Sequence, residues 1–260
     1  MKLQFRLIAA ALALLAGTCA FAQTGAPRKD RVFLKDIEGI WINEPYVKAL
    51  AQVRSPHAAA RKVPPVVIAI KKEGRAWPIV VTDFNRASMQ AVLDIEPDAK
   101  TGAWRLVIGP SDRPVNSTEV KYVPFQGSRN DQGRFDRLRI AEPTFLKGQW
   151  GDFLPLSGEL NPSINRVVIA GRYRDAQGRD WEFAEGGEAT WPDQKFFYEL
   201  SLNDPGAGCD YLQTEDLRDG EDKKRFGYAW NAGKLSIFAA RLAGKKVVCE
   251  AKPMAVLTPR

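Results

Sequence analysis

The sequence predicts an all-β protein: an antiparallel meander that closes into a barrel, with a short helical segment after the first strand. Three features lead there. Short apolar runs alternate with polar residues, most strictly where Met89, Ala91, Leu93 and Ile95 share one face of an extended segment. Turn-forming clusters such as Asp98-Ala99-Lys100-Thr101-Gly102, Asn130-Asp131-Gln132-Gly133 and Asp175-Ala176-Gln177-Gly178 separate these runs at regular intervals. Helical spacing is convincing at one place only, after Pro45.

The chain begins with Lys2 and Arg6, an apolar stretch from Leu7 to Ala16, and the small-x-small triplet Ala20-Phe21-Ala22. That is the layout of a Sec-type signal peptide, so residues 1–22 are expected to be cleaved and the mature chain to be periplasmic or secreted. The apolar stretch is too short to span a bilayer, and no later run is long enough. Residues 23–30 read as a disordered polar lead. Residues 31–260 read as a single β-rich domain, with 144–165 as the place where it would divide. N-terminal sequencing of the exported protein is expected to start at or close to Gln23; a terminus carrying lipid on Cys19 would overturn the assignment.

Residues 33–42 alternate as a first strand. Tyr46, Ala49, Leu50 and Val53 then recur at helical spacing behind Pro45, which suits a first helical position. Ser55-Pro56 ends that helix and caps a second short one through Ala58, Ala59 and Ala60. Strands follow at 66–70, 77–84, 89–95, 104–108, 119–125 and 134–141. Residues 144–165 carry Phe145, Trp150, Phe153 and Leu154 among Gly and Pro, and read as a lid or a connector. Strands resume at 166–174, 180–183, 196–202 and 209–213. A hairpin at 225–230 and 234–241 turns at Asn231-Ala232-Gly233, and 246–251 closes the set. No fixed-period repeat is evident.

Loss of the signal peptide removes Cys19 and leaves Cys209 and Cys249, an even pair expected to form a disulfide in an oxidising compartment. The formal net charge of +7 falls by two when Lys2 and Arg6 leave. Signs alternate along 134–139 and 219–225, as on a solvated surface; a nucleic-acid binder gathers its basic residues on one face, so no nucleic-acid partner is expected.

The segment Ile37-Glu38-Gly39-Ile40-Trp41-Ile42-Asn43-Glu44, followed by a short helix, resembles the opening of the lipocalin superfamily. Gly171-Arg172-Tyr173-Arg174-Asp175, with Trp181, Phe183 and Trp191-Pro192-Asp193, resembles the hairpins of bacterial lipocalin-like, calycin-type secreted proteins. The resemblance covers 36–62 and 168–200. It implies a barrel whose closed end is crossed by Trp41, with a basic side chain from a late strand over the ring: Arg241, or failing that Arg172. Gly39 would leave room for close approach. The helix after Trp41 and the strands beyond eight depart from the family pattern.

A barrel of this size can hold a small ligand. The candidate ligand-binding aromatics are Trp77, Phe84, Trp104, Trp150 and Trp181. His57, the only histidine, lies beside Ser55 and Pro56 and reads as exposed or capping. One histidine and a disulfide leave no typical zinc ligand set, and no nucleophile–base pair is recognisable. The expected function is a periplasmic or secreted, non-catalytic binding protein for a small, partly apolar ligand, without cofactor or metal. One alternative is a protein-binding envelope module or inhibitor working through the Trp150 loop. Another is a carboxylate-dependent hydrolase of an envelope substrate.

Overall fold

The computed structural model describes residues 32–84, 87–110, 121–142, 146–156, 158–202, 204, 206–215 and 223–260. The expected signal peptide, the polar lead and Phe145 lie outside them.

Within Val32–Arg260 the predicted all-β architecture is present, built as two successive strand circuits. The first opens with β1 (Gly39–Asn43), continues through helices α1 (Glu44–Val53) and α2 (Pro56–Lys62), and then runs β2 (Val67–Ile70), β3 (Pro78–Thr82), β4 (Ala87–Pro97), β5 (Trp104–Pro110), β6 (Lys121–Arg129), β7 (Phe135–Ala141) and β8 (Trp150–Pro155). Each strand pairs antiparallel with the next, and β8 returns to β1 through Ile42 opposite Leu154, so the barrel is closed. Its inward positions carry Ile68, Ile79, Leu106, Val123 and Phe153, a packed and mainly aliphatic core. β-Branched side chains suit this pleated, half-buried surface.

The second half starts at helix α3 (Leu160–Val168). It continues through β9 (Gly171–Arg174), β10 (Asp180–Phe183), β11 (Glu188–Trp191), β12 (Gln194–Leu200), β13 (Tyr211–Glu215), β14 (Arg225–Asn231), β15 (Lys234–Ala243), β16 (Lys246–Cys249) and β17 (Ala255–Pro259). β9 to β15 pair in sequence, β15 pairs β17, and β17 pairs β9, which completes a second circuit. β16 stands outside it, paired with β15. This interior is aromatic: Tyr173, Trp181, Phe183, Trp191 and Tyr198 are all buried.

Both circuits open on the pattern Ile-x-Gly-x-aromatic. Gly39 at φ 139° and Gly171 at φ 152° take a backbone conformation that favours glycine. Two residues on, Trp41 donates its indole N–H to the Ile37 carbonyl at 2.9 Å, and Tyr173 donates its hydroxyl to the Ile169 carbonyl at 2.6 Å. The same device therefore anchors the first strand of each half.

Several elements differ from expectation. Leu34–Asp36, read as the start of the first strand, is a single 3-10 turn, and β11 was not anticipated. Residues 144–165 hold the strand that closes the first barrel, β8, and most of α3. Gly151 and Pro155 made the strand look like a loop, although Phe153 at its centre is fully buried. α3 carries Pro162 within its first turn, where no intrahelical N–H is lost. Its C-terminal Val167-Val168 reads as strand by local propensity, but Ile164 and Val168 pack on the second core, and tertiary packing decides. β17 was not anticipated; it supplies Ala255 and Leu257 to that core.

The helix that departs from the lipocalin pattern has a clear use. α1 leaves the first barrel yet buries Tyr46 and Leu50 in the core of the second circuit. Arg54 at its C-cap lies 4.3 Å over the Trp230 ring, and Trp230 donates its N–H to the Val168 carbonyl of α3. α1 and α3 together cover one end of the second circuit.

Trp41 is buried on β1, as expected. The expected cation over it is not there. Arg241 is exposed on β15, and Arg172 on β9 is paired with Glu182. Both belong to the second circuit, whereas the barrel around Trp41 closes through β8 rather than through the last strands of the chain.

Candidate functional site

The five candidate aromatics do not converge. Trp77 and Trp104 are half-buried against the first core. Phe84 packs on the second core beside Tyr46, and Trp181 is buried within that core. Trp150 is exposed, with Arg139 5.6 Å from its ring centroid.

Trp181 is held by a turn. Its indole N–H donates to Asp175 Oδ2 at 3.1 Å, beside the Arg179 Nε–H at 2.8 Å, while Asp175 Oδ1 accepts the backbone N–H groups of Gln177 and Arg179. Burial works against a charge on Asp175, but the Arg179 amide, the Trp181 indole and the Arg179 guanidinium outweigh it and hold the carboxyl at about 2. An unfolded aspartate titrates near ~3.9. The folded value is depressed, so this carboxylate contributes stability above about pH 4, and the contribution is lost as pH falls towards 2. Urea unfolding is therefore expected to show the advantage of wild type over Asp175→Asn shrinking between pH 4 and 2; a constant difference would contradict the assignment.

A cleft of about 520 Å³ brings together His57 and Arg61 of α2 with Asp204, Cys209 and Asp210. His57 is not the exposed residue its neighbours suggested: only 11% of its side chain is accessible. Its Nε2 accepts the Asp204 backbone N–H at 3.2 Å, its own backbone N–H donates to Asp210 Oδ1 at 3.0 Å, and Nδ1 lies 3.9 Å from that same oxygen. Tyr211 donates its hydroxyl to Asp204 Oδ2. Because Nε2 is occupied by a backbone donor, the ring carries its proton on Nδ1 and has no free base to offer a nucleophile. The Ser55 hydroxyl is engaged as the N-cap of α2 through the Ala58 N–H. This constellation is a clasp that fastens α2 to the segment before β13. His57→Ala is expected to cost about 1 kcal/mol in chemical unfolding, the scale of one neutral hydrogen bond.

Deeper in the same region the hydroxyls of Tyr46 and Tyr228 are buried without a partner among the described residues. Burial, and then the charge of Asp210, pushes both phenols above their ordinary range. They are inert as acids at neutral pH.

A second cavity, of about 650 Å³, lies along β14 and β15, lined by Lys223, Lys224, Arg225, Phe226 and by Ala239 to Leu242, including Arg241. No carboxylate is among its described lining residues, and none of its four cations has an acidic partner among the described residues. Some surface arginines elsewhere are paired, as Arg105 is with Glu96 and Asp98 and Arg174 is with Asp180. The apolar wall leads inward: Phe226 meets Trp191 edge-to-face with ring centroids 4.7 Å apart, and Trp191 packs on Phe196 and Trp181. The Trp191 indole N–H is buried there without a partner among the described residues. Sequence reading missed this site because the cations come from two strands that only pairing brings together, opposite one another at Arg225 and Ala240.

The expected disulfide joins Cys209 to Cys249. No group of three His, Cys, Asp or Glu among the described residues is placed to hold a metal ion. No described helix is long and apolar enough to cross a membrane. No family model, no curated protein and no solved structure matches the chain. What the fold itself defines is a closed antiparallel β-barrel followed by a second strand circuit.

Proposed function

We propose that this chain is an exported, lipocalin-like binding protein without catalysis, and that its ligand is small, partly apolar and held at the groove between β14 and β15. The observation that carries the reading is the juxtaposition there of cations, which have no acidic partner among the described residues, with the rim of an aromatic layer. A cavity of this size falls in the range of ligand pockets, roughly 300–1,000 Å³. The engaged state of His57 and Ser55 favours binding over nucleophilic chemistry. The signal-peptide layout supports export, and the Ile-x-Gly-x-aromatic opening of both circuits supports the lipocalin-like type.

Native mass spectrometry of the protein recovered from the exported fraction tests this. The expected spectrum contains a small-molecule adduct that is lost on denaturation. A spectrum showing only a protein partner would favour the second reading, a protein-binding module. Exposed Leu242, Val248, Met254 and Val256 on and beside β15 to β17 give that reading its support.

A further inference from the structure

We infer that the helical excursion between β1 and β2 is a latched cover over one end of the second circuit, and that the Cys209–Cys249 disulfide locks the latch. This adds a regulated way into the second circuit and does not depend on the ligand proposed above.

The excursion is out of proportion to the turn it makes. β1 and β2 are direct neighbours, pairing from Gly39 opposite Ile70 to Ile42 opposite Val67. Antiparallel neighbours need a loop of about 2–5 residues, yet residues 44–66 intervene here. The apolar side of both helices goes to the other circuit: Tyr46, Leu50 and Ala59 are buried in its core, with Val47, Val53 and Ala60 against it. Arg54, between the helices, sets its guanidinium over Trp230, which shares one face of β14 with Phe226 and Tyr228. Opening the cover bares Trp230 and the row behind it, at the end of β14 away from the Phe226 rim of the groove.

The excursion is rooted at both ends in first-barrel strands, and its directional ties to the second circuit gather at His57. Its backbone N–H donates to Asp210 Oδ1, and its Nε2 accepts the Asp204 N–H. Arg54 joins the two helices at φ 48°, a left-handed conformation that a residue with a Cβ adopts at a cost. The bend is therefore held by what Arg54 and His57 touch, not by local preference.

The two partners of His57 are anchored differently. Asp210 enters β13, and its carbonyl accepts the Tyr228 N–H at 2.9 Å. Asp204 lies in the segment before β13, which the Cys209–Cys249 bond fastens to β16. The crosslink keeps the Asp204 amide at high effective concentration beside Nε2. Without it, the Tyr211 hydroxyl on Asp204 and the Gly208 N–H on the Val247 carbonyl remain as weaker holds. Cys209 lines the cleft beside His57, and both cysteines are half-exposed, so a small dithiol reaches the bond. One thiolate of the dithiol attacks Cys209 Sγ and releases Cys249 as a thiol. Closure of the dithiol to its own disulfide then frees Cys209, so two electrons and two protons pass to the protein.

Hydrogen exchange of the full mature chain, read by mass spectrometry with and without dithiothreitol, tests this. Reduction is expected to speed exchange in 44–66 by at least about tenfold, the factor of one hydrogen bond. The labelling times are those over which β10 to β12 stay protected in both forms. His57→Ala with the disulfide intact is expected to speed 44–66 to a similar degree, and reduction of that variant to add nothing. His57→Gln, whose Oε1 can accept the Asp204 N–H, is expected to restore both the slow exchange and its response to reductant. Exchange in 44–66 that ignores reduction would overturn the lock. Loss of protection in 44–66 and in β10 to β12 together, in both forms, would overturn the cover. A tenfold response to reductant that survives in His57→Ala would overturn the latch, since the disulfide would then act by another route.

Discussion

Trp41→Ala is expected to lower stability by about 3–5 kcal/mol, the range for truncating a large aromatic in a packed core. The side chain is 2% exposed and lies in the interior of a barrel whose lining is already close-packed aliphatic residues, so little can move in to fill the space. The substitution also strips the Ile37 carbonyl of its donor, and Ile37 is itself fully buried. Trp41→Phe separates the two effects: it keeps most of the volume and loses the N–H, and is expected to cost about 1–3 kcal/mol. Trp150→Ala serves as the control, because an exposed aromatic away from the core should change stability by no more than about 0.5 kcal/mol. Urea unfolding with an unchanged m-value is the measurement. A Trp41→Ala chain within 1 kcal/mol of wild type would show that the first barrel does not depend on this residue. Tyr173→Phe tests whether the second circuit uses the same anchor, with a loss of about 1 kcal/mol expected from its hydroxyl bond to Ile169.

That comparison bears on what the sequence revealed. Ile37-Glu38-Gly39-Ile40-Trp41 was read as a barrel opening from its resemblance to the lipocalin opening; the burial of Trp41 and the ensuing helix are as read, whereas the strand, read over 33–42, begins only at Gly39 after a 3-10 turn at Leu34–Asp36. The same spacing recurs at Ile169-Ala170-Gly171-Arg172-Tyr173, but tyrosine replaces tryptophan and the repeat was not seen. Residues fixed by local rules were legible: Ser55 as a cap, the hairpin across Asn231-Ala232-Gly233, the alternation through Leu93. Residues whose role depends on remote packing were not. His57 looks like a loop residue until Asp204 and Asp210, far along the chain, close on it. Arg241 was assigned to Trp41 on its place near the C-terminus, as though the whole chain closed one barrel. It instead lines a cationic groove because β15 pairs with β14. The five aromatics were chosen for size and hydrophobicity, properties that specify a core as readily as a ligand site, and in Trp181 the core prevailed.

Cys249→Ala is expected to cost about 4 kcal/mol, the chain-entropy value for a crosslink between cysteines 40 positions apart. The bond ties the segment carrying the His57 clasp to β16, a strand outside the second circuit, so its loss frees an element that the circuit itself does not hold. Reduction of the wild-type chain should reproduce the loss, and thiol titration of the oxidised, denatured protein should find neither Cys209 nor Cys249 free; titration of both would disprove the crosslink. Gly227 on β14 supplies an independent check. A methyl group there would overlap Cys249 Sγ, with Cys249 Cβ at 3.1 Å and Phe238 Cβ at 3.4 Å close behind. Gly227→Ala should therefore be severe in the oxidised wild type, on the scale of overpacking a core, about 1–3 kcal/mol or more. Once Cys249→Ala removes the sulfur the worst overlap is gone and only the closer-than-usual Cβ contacts remain, so the same substitution should cost less. The two changes must then be non-additive, the double variant losing less than the sum of the singles. Strict additivity would mean that the sulfur does not occupy the space above Gly227, and the packing of the crosslink against β14 would be wrong even if the bond itself were present.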